Sequence, residues 1–199
     1  MAATVPKDGR AARSYRARLA LADALLALLN EGIEQPTAVQ IAERAGVSLR
    51  LVFHHFDDLE AIYASAGDLQ IERVRALVKP VDPLLPFDER IAAFVRNRAR
   101  VLDYVSPVRR ACVRMETTSP EISRRMRMAH DLAREQAFEA FAHELASVPA
   151  DQSAEVSAAL DGITSWEMWE FLRRRVELPV KQSSKIVERM IRALLTGGK

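Results

Sequence analysis

The stretch TAVQIAERAGVSLRLVFHHF, Thr37 to Phe56, decides the fold: its caps, apolar spacing and single glycine describe two short helices joined by a tight turn. Thr37 can accept hydrogen bonds from the amides that a helix start leaves unpaired, and Ile41, Ala42 and Ala45 follow at helical spacing as an apolar face. Gly46 ends that helix, since a left-handed residue just past a helix end costs glycine nothing sterically. Val47 then plugs the space between the helices, and Ser48 caps the second one. Val52 and Phe56, four residues apart, share its buried side. At about 100° per residue, Arg50 and His54 project opposite them, with Leu49 and Phe53 on one flank and Leu51 and His55 on the other. An exposed row of this kind suits a DNA groove, and the whole is the layout of a helix-turn-helix.

At these residues the segment resembles the DNA-binding domain of TetR-family transcriptional regulators, whose pattern runs roughly T-V-x-x-I-A-x-x-A-G-V-S-x-G-x-L-Y-x-H-F-x-x-K-E-x-L. Thr37, Ile41, Ala42, Ala45, Gly46, Val47, Ser48, His55 and Phe56 are identical to it, Val52 and Phe53 are close substitutes, and Glu60 and Ile62 continue it. Three residues depart from it. Arg50 replaces the usual glycine, Phe53 lacks the hydroxyl of the usual tyrosine, and Leu59 stands where a lysine commonly contacts phosphate. The departures imply an altered set of DNA contacts. Arg50 can donate two hydrogen bonds to guanine, and Leu49 reaches the same base edges. His54 and His55 can reach phosphate or base acceptors, and Thr37 and Ser48 can hold the backbone. Leu49 and Leu51 can read only shape or thymine methyls. Ordinary surface or packing is the alternative for each.

The composition is compatible with this reading. A chain of 199 residues with 49% apolar content suffices for one sizeable core or two small ones. The single Cys112 cannot form an internal disulfide, the leading residues lack a hydrophobic export core, and LALADALLALL is too short and too polar to span lipid. The expectation is a cytoplasmic protein with no membrane partner. Net charge is +2, but the first 20 residues hold Lys7, Arg10, Arg13, Arg16 and Arg18 against Asp8, which gives +4 and leaves −2 for the rest. Such an arm can neutralise phosphates or enter a minor groove; a solvated tail is the alternative. Arg13 and the residues after it start the first helix and are the stronger candidates.

Beyond the motif the chain reads as all-α, about nine helices in total, with no alternating strand pattern. The first spans roughly Ala11 to Asn30 and is expected to bury Leu19, Leu25, Leu26 and Leu29. Asp57 and Glu60 form a capping box opening a fourth helix toward Lys79, after which VDPLLPF breaks the chain. A fifth helix runs from about Asp88 to Val105. Ser106-Pro107 and Ser119-Pro120 each read as an N-cap followed by Pro at the first helical position, opening the sixth and seventh, the latter ending before Pro149. Two last helices cover roughly Asp151 to Arg175 and Pro179 to Thr196. The expected division is a three-helix DNA-binding domain with a basic arm over 1–56, followed by a helical ligand-binding and dimerisation domain over 57–199.

The last two helices carry apolar surface on more than one stripe. The resemblance implies that they pair with twofold mates in a four-helix homodimer interface, with Val156, Leu160, Ile163, Val187, Met190, Ile191 and Leu194 contributing and the small Gly162 permitting close approach. Completion of an intramolecular core is the alternative. Two readers related by a twofold can engage a palindromic operator on double-stranded DNA, with half-sites ~34–36 Å apart. The resemblance also implies a small-molecule effector, of unknown identity, enclosed by the fourth to eighth helices, whose binding releases a repressor from DNA. Arg98 shares a face with Ile91, Phe94, Val95 and Leu102, so its guanidinium either meets an acidic ligand group, snorkels to solvent, or pairs with an internal carboxylate such as Glu116. Tyr104, Met115, Met126, His130, Phe138, Phe141 and Trp166 are candidates for an adaptable apolar lining, or for plain core. A ligand-independent DNA-binding or adaptor dimer with a filled C-terminal core is the competing reading.

Catalysis is not expected. His54 and Asp58 are four apart, but no third metal ligand is suggested near them, and His130 and His143 point to different faces. There is no Glu-x-x-His, Gly-rich phosphate loop or nucleophile elbow, and Cys112 reads as a small core residue. No metal or cofactor is called for.

Overall fold

A computed structural model describes residues 8–197; the proposed phosphate-binding residue Lys7 lies outside them. Helix α1 (Gly9–Asn30) starts at Asp8, whose carboxylate accepts from the amide of Arg10 at 3.2 Å. It buries Leu21, Leu25, Leu26, Leu28 and Leu29, whereas Leu19, expected in the core, is only half-buried because it lies N-terminal to the packed stretch. Helix α2 (Ala38–Ala45) opens with a reciprocal capping box: Thr37 Oγ1 accepts from the Gln40 amide at 3.2 Å, and Gln40 Oε1 accepts from the Thr37 amide at 2.9 Å. Gly46 follows in the left-handed region (φ 68°, ψ 32°), and Ser48 caps α3 (Leu49–His55) by accepting from the Leu51 amide at 3.2 Å.

Helix α4 (Leu59–Leu77) departs from expectation at both ends. Its cap is Asp58, which accepts from the Ala61 amide at 2.8 Å, and no Asp57–Glu60 box forms. The Glu60 carboxylate instead accepts a hydrogen bond from the Ser119 hydroxyl. The helix stops at Leu77, short of Lys79.

The expected start of a helix at Ser106-Pro107 is corrected: α5 runs unbroken from Phe87 to Glu116 with Pro107 inside it. Ser106, read as an N-cap, has its hydroxyl donating to the Leu102 carbonyl at 2.6 Å, a bond one turn back along the helix, and accepting from Trp166 Nε1 at 3.0 Å. Proline in a helix interior costs about 3 kcal/mol. The buried residues on either side of it, Ala99 and Leu102 before, Val108, Ala111 and Cys112 after, offset that penalty. Ser119-Pro120 does open α6 (Pro120–Ala140), with Ser119 Oγ accepting from the Ile122 amide at 3.0 Å.

The expected continuation to Pro149 breaks at Phe141 (φ −119°, ψ 24°), which is completely buried, and a short α7 (Ala142–Ala146) follows. The helix expected over Asp151–Arg175 is divided into α8 (Ser153–Thr164), α9 (Trp166–Glu170) and a π-helical turn (Phe171–Arg175). Ser165 is extended between α8 and α9 and caps the latter by accepting from the Met168 amide at 3.1 Å. Helix α10 (Val180–Thr196) completes ten α-helices, with no strand among the described residues. No helix among them is long and apolar enough to cross a membrane.

Two compact units result. One comprises the described residues through Ala76 together with Pro107–Met126; the other comprises Leu77–Ser106 and the described residues from Arg127 onward. The first unit reaches beyond residue 56 because Ile62, Tyr63, Ala66, Val108, Cys112 and Ile122 pack into one core with the leucines of α1. The second unit centres on Ile91, Phe94, Val95, Phe141, Leu160, Val187 and Ile191.

Candidate functional site

In the first unit, α3 is anchored from behind. Val52 and Phe56 are buried, and the Arg18 guanidinium donates to the His55 carbonyl at 2.6 Å while its Cζ lies 4.3 Å from the centre of the Phe56 ring. These contacts satisfy the open C-terminal end of a two-turn helix and fix its angle to α1. The opposite side is bare: Arg50 and His54 are exposed, with Leu49 at 39% and Phe53 at 54% exposure.

The cations of this unit divide by what they hold. Arg44 pairs with Glu31, Arg73 with Asp23 and Arg114 with Glu34, so their charge is matched internally. Arg50 has no ion pair among the described residues, and nothing in the fold of a short exposed helix requires a guanidinium there. Arg13 is likewise exposed on α1.

The remaining residues expected to contact DNA are placed less openly. The His55 ring faces α1, with Nδ1 3.4 Å from the Ser14 hydroxyl; burial, followed by the charges of His54 and Arg18, lowers its pKa and favours the neutral ring. Leu51 is half-buried. The hydroxyls of Thr37 and Ser48 are engaged in their caps, so what these two exposed residues offer a ligand is the amide-rich start of each helix.

The second unit holds a cavity of about 270 Å³. Its walls are the segment 78–83, then Phe94, Asn97, Arg98 and Val101 of α5, and Gln136, Glu139 and Ala140 of α6. Two side chains pin the irregular wall: Asn97 Nδ2 donates to the Lys79 carbonyl at 2.7 Å, and Arg90 Nη1 donates to the Pro83 carbonyl at 3.0 Å. Arg90 also forms a buried ion pair with Glu144, which anchors it.

Of the expected ligand-binding residues, Arg98 alone lines this cavity. The proposed pairing with Glu116 is replaced by a hydrogen bond from Nη2 to the Ala133 carbonyl, and the guanidinium sits 5.0 Å from the centre of the Phe94 ring. Burial lowers its pKa to about 10, partly countered by the nearby Asp161. Met115 and Met126 lie away from this cavity: both pack against the core of the first unit, where Arg109 Nη1 lies 2.7 Å from the Met126 sulfur. Phe138 packs on the second core beneath Arg134, His130 meets Asp161 at 3.1 Å, Trp166 bonds Ser106, and Tyr104 is half-buried. Phe141 is sealed between Phe87 and Phe94, with ring centroids 6.4 and 5.2 Å away. The segment 78–83 was missed because its prolines signal only a chain break.

The assigned interface residues are also redistributed. Leu160, Val187 and Ile191 are buried within the single chain and cannot contribute surface to a partner, which makes them core. Ile163 and Leu194 are half-buried against that core; Val156 and Met190 are half-buried as well. Gly162 is exposed, with open space where a Cβ would stand. Cys112 is buried, and burial pushes its thiol up to about 11, which leaves it protonated and inert.

No protein-family model and no curated protein matches the sequence. Solved structures do share its fold. A transcriptional regulator from Rhodococcus sp. Rha1 is 19% identical, with a TM-score of 0.67 over 90% of this chain and 96% of its own. A structure described as a putative TetR-family transcriptional regulator from Mesorhizobium loti MAFF303099 is 15% identical, with a TM-score of 0.65 over 93% of this chain and 98% of its own. The multidrug binding protein EbrR, solved with imidazole, is 17% identical, with a TM-score of 0.56 over 87% and 94%. The chain therefore has the fold of TetR-family regulators over nearly its whole length.

Proposed function

We propose that this protein is a TetR-like transcriptional repressor of the cytoplasm, a binding protein without catalytic activity, which holds a palindromic operator as a homodimer and releases it when a small molecule binds the second unit. The exposed face of α3 carries the reading. Arg50 and His54 stand outward beside the exposed Leu49 and Phe53, on a helix whose other side is locked to α1, and Arg50 has no charge partner among the described residues. A guanidinium presented this way can grip guanine O6 and N7 with two hydrogen bonds. Arg13 on α1 is suited to phosphate, with the amide-rich starts of α2 and α3.

A single seven-residue recognition helix touches too few bases for selectivity, which favours two copies on a twofold site. Leu160, Val187 and Ile191 being core, the proposed dimer surface on α8 and α10 uses what lies around them: Val156, Ile163, Met190, Leu194 and the open side of Gly162. The cavity beside Arg98 favours a ligand-responsive protein over the competing ligand-independent dimer with a filled core. Genomic footprinting with purified protein tests the reading without any ligand. The expected result is protection of a twofold-symmetric site; no protected site at either low or moderate salt overturns it.

A further inference from the structure

The cavity of the second unit is built around a cation, and its chemistry narrows what it can hold. Arg98 is 6% exposed and lines the cavity, yet among the described residues its guanidinium has only a neutral hydrogen-bond partner, the Ala133 carbonyl, and forms no ion pair. A buried guanidinium left with a carbonyl and an aromatic ring retains most of its donors and its whole charge. No carboxylate meets it directly among the described residues: Asp161 acts on Arg98 only through space and bonds to His130, and Glu139 stands at the cavity wall as an exposed side chain. Arg90, the other buried arginine here, shows the contrast, since Glu144 meets it directly. Val78, Val81, Phe94 and Val101 give the wall an apolar part, beside the polar Asn97, Gln136 and Glu139, and the pins from Asn97 and Arg90 hold the segment 78–83 in place.

We infer that the cavity binds a small amphipathic organic acid, its carboxylate received by the Arg98 guanidinium and its apolar body held against Phe94, Val81 and Val101. The fork of N–H donors matches the two oxygens of a carboxylate, and burial strengthens the pairing. At about 270 Å³ the cavity lies just below the ~300–1,000 Å³ range of drug-sized sites, so the acid is compact, an aryl or short acyl carboxylate. As the effector of a repressor this ligand class rests on the DNA-binding reading; its binding to the cavity does not.

Calorimetry with the full-length chain tests the assignment, using benzoate and octanoate as probes, benzamide and octanamide as uncharged counterparts, and inorganic phosphate as a bare anion. At least one carboxylate is expected to bind about tenfold or more tightly than its amide, and phosphate not to compete. Arg98→Met is expected to erase the preference for acid over amide. Val101→Trp, which leaves Arg98 in place and fills the cavity, is expected to abolish binding, and it decides the matter if Arg98→Met does not fold. Equal binding of acid and amide, competition by phosphate, no binding of either acid at millimolar concentration, or full binding to Val101→Trp overturns the proposal. The footprint needs no ligand, so its failure removes the regulator and leaves the acid site standing, whereas failure here leaves the DNA reader intact.

Discussion

The proposed reading surface takes its decisive residues from Thr37–Phe56, whereas the cavity takes its walls from three separated segments, 78–83, 94–101 and 136–140. In the first region geometry is set locally: a capping box, one left-handed glycine and a second cap orient α3 before any distant contact is made. In the second it depends on packing between helices, with Asn97 and Arg90 reaching across to hold the irregular wall. Local structure can therefore be damaged one hydrogen bond or one φ angle at a time, while the assembled cavity fails through its core.

The largest expected effect lies in the assembled region. Phe141→Ala removes a sealed ring that meets Phe87 and Phe94 edge-on, and about 3–5 kcal/mol of stability should be lost in urea unfolding. A loss under about 1 kcal/mol would mean that the ring is not packed as described. Next comes Arg50→Ala, which should leave unfolding unchanged and weaken binding to the footprinted site by about 1–3 kcal/mol, with sequence preference relaxed at one position. If preference is unaltered, Arg50 does not read bases. Gly46→Ala meets no atom within 4 Å, so its cost is confined to the left-handed backbone, about 1–2 kcal/mol by chemical denaturation. A neutral result would show that the turn has another conformation.

The smallest effect concerns pH. His55 is held below its ordinary pKa of about 6.5 in the folded state, so the unfolded chain takes up its proton first on acidification. Its contribution is complete above that ordinary value and is lost as pH falls toward the folded value. The stability difference between the protein and His55→Gln should accordingly shrink on going from about pH 8 to pH 5, and a difference that grows on acidification would reverse the assigned direction.

The same contrast explains what could be read from sequence. Thr37, Gly46 and Ser48 act on their immediate neighbours, and the turn they describe is the one observed. Ser106-Pro107 misled because the pair looks identical at a helix start and inside a helix, and only the buried residues flanking it keep α5 continuous. Asp57 and Asp58 are both good caps, and what separates them is the engagement of Glu60 by the distant Ser119. Leu160, Val187 and Ile191 have the composition of an interface and of a core alike, so the apolar character of their two helices is legible in sequence but not what covers it. At Arg98, helical spacing revealed burial; the neutral partner and the surrounding cavity became visible only with α6 in place.

The central claim is sequence-specific DNA recognition by the outward face of α3. The most direct measurement is the ratio of affinities, at one fixed salt concentration near physiological, for the footprinted duplex and for a scrambled duplex of the same length and composition. Recognition through Arg50 and its neighbours predicts a preference of about 10³ or more for the footprinted duplex. Equal affinities for the two duplexes, with the same salt dependence, would mean that the protein contacts only phosphate and would contradict the account.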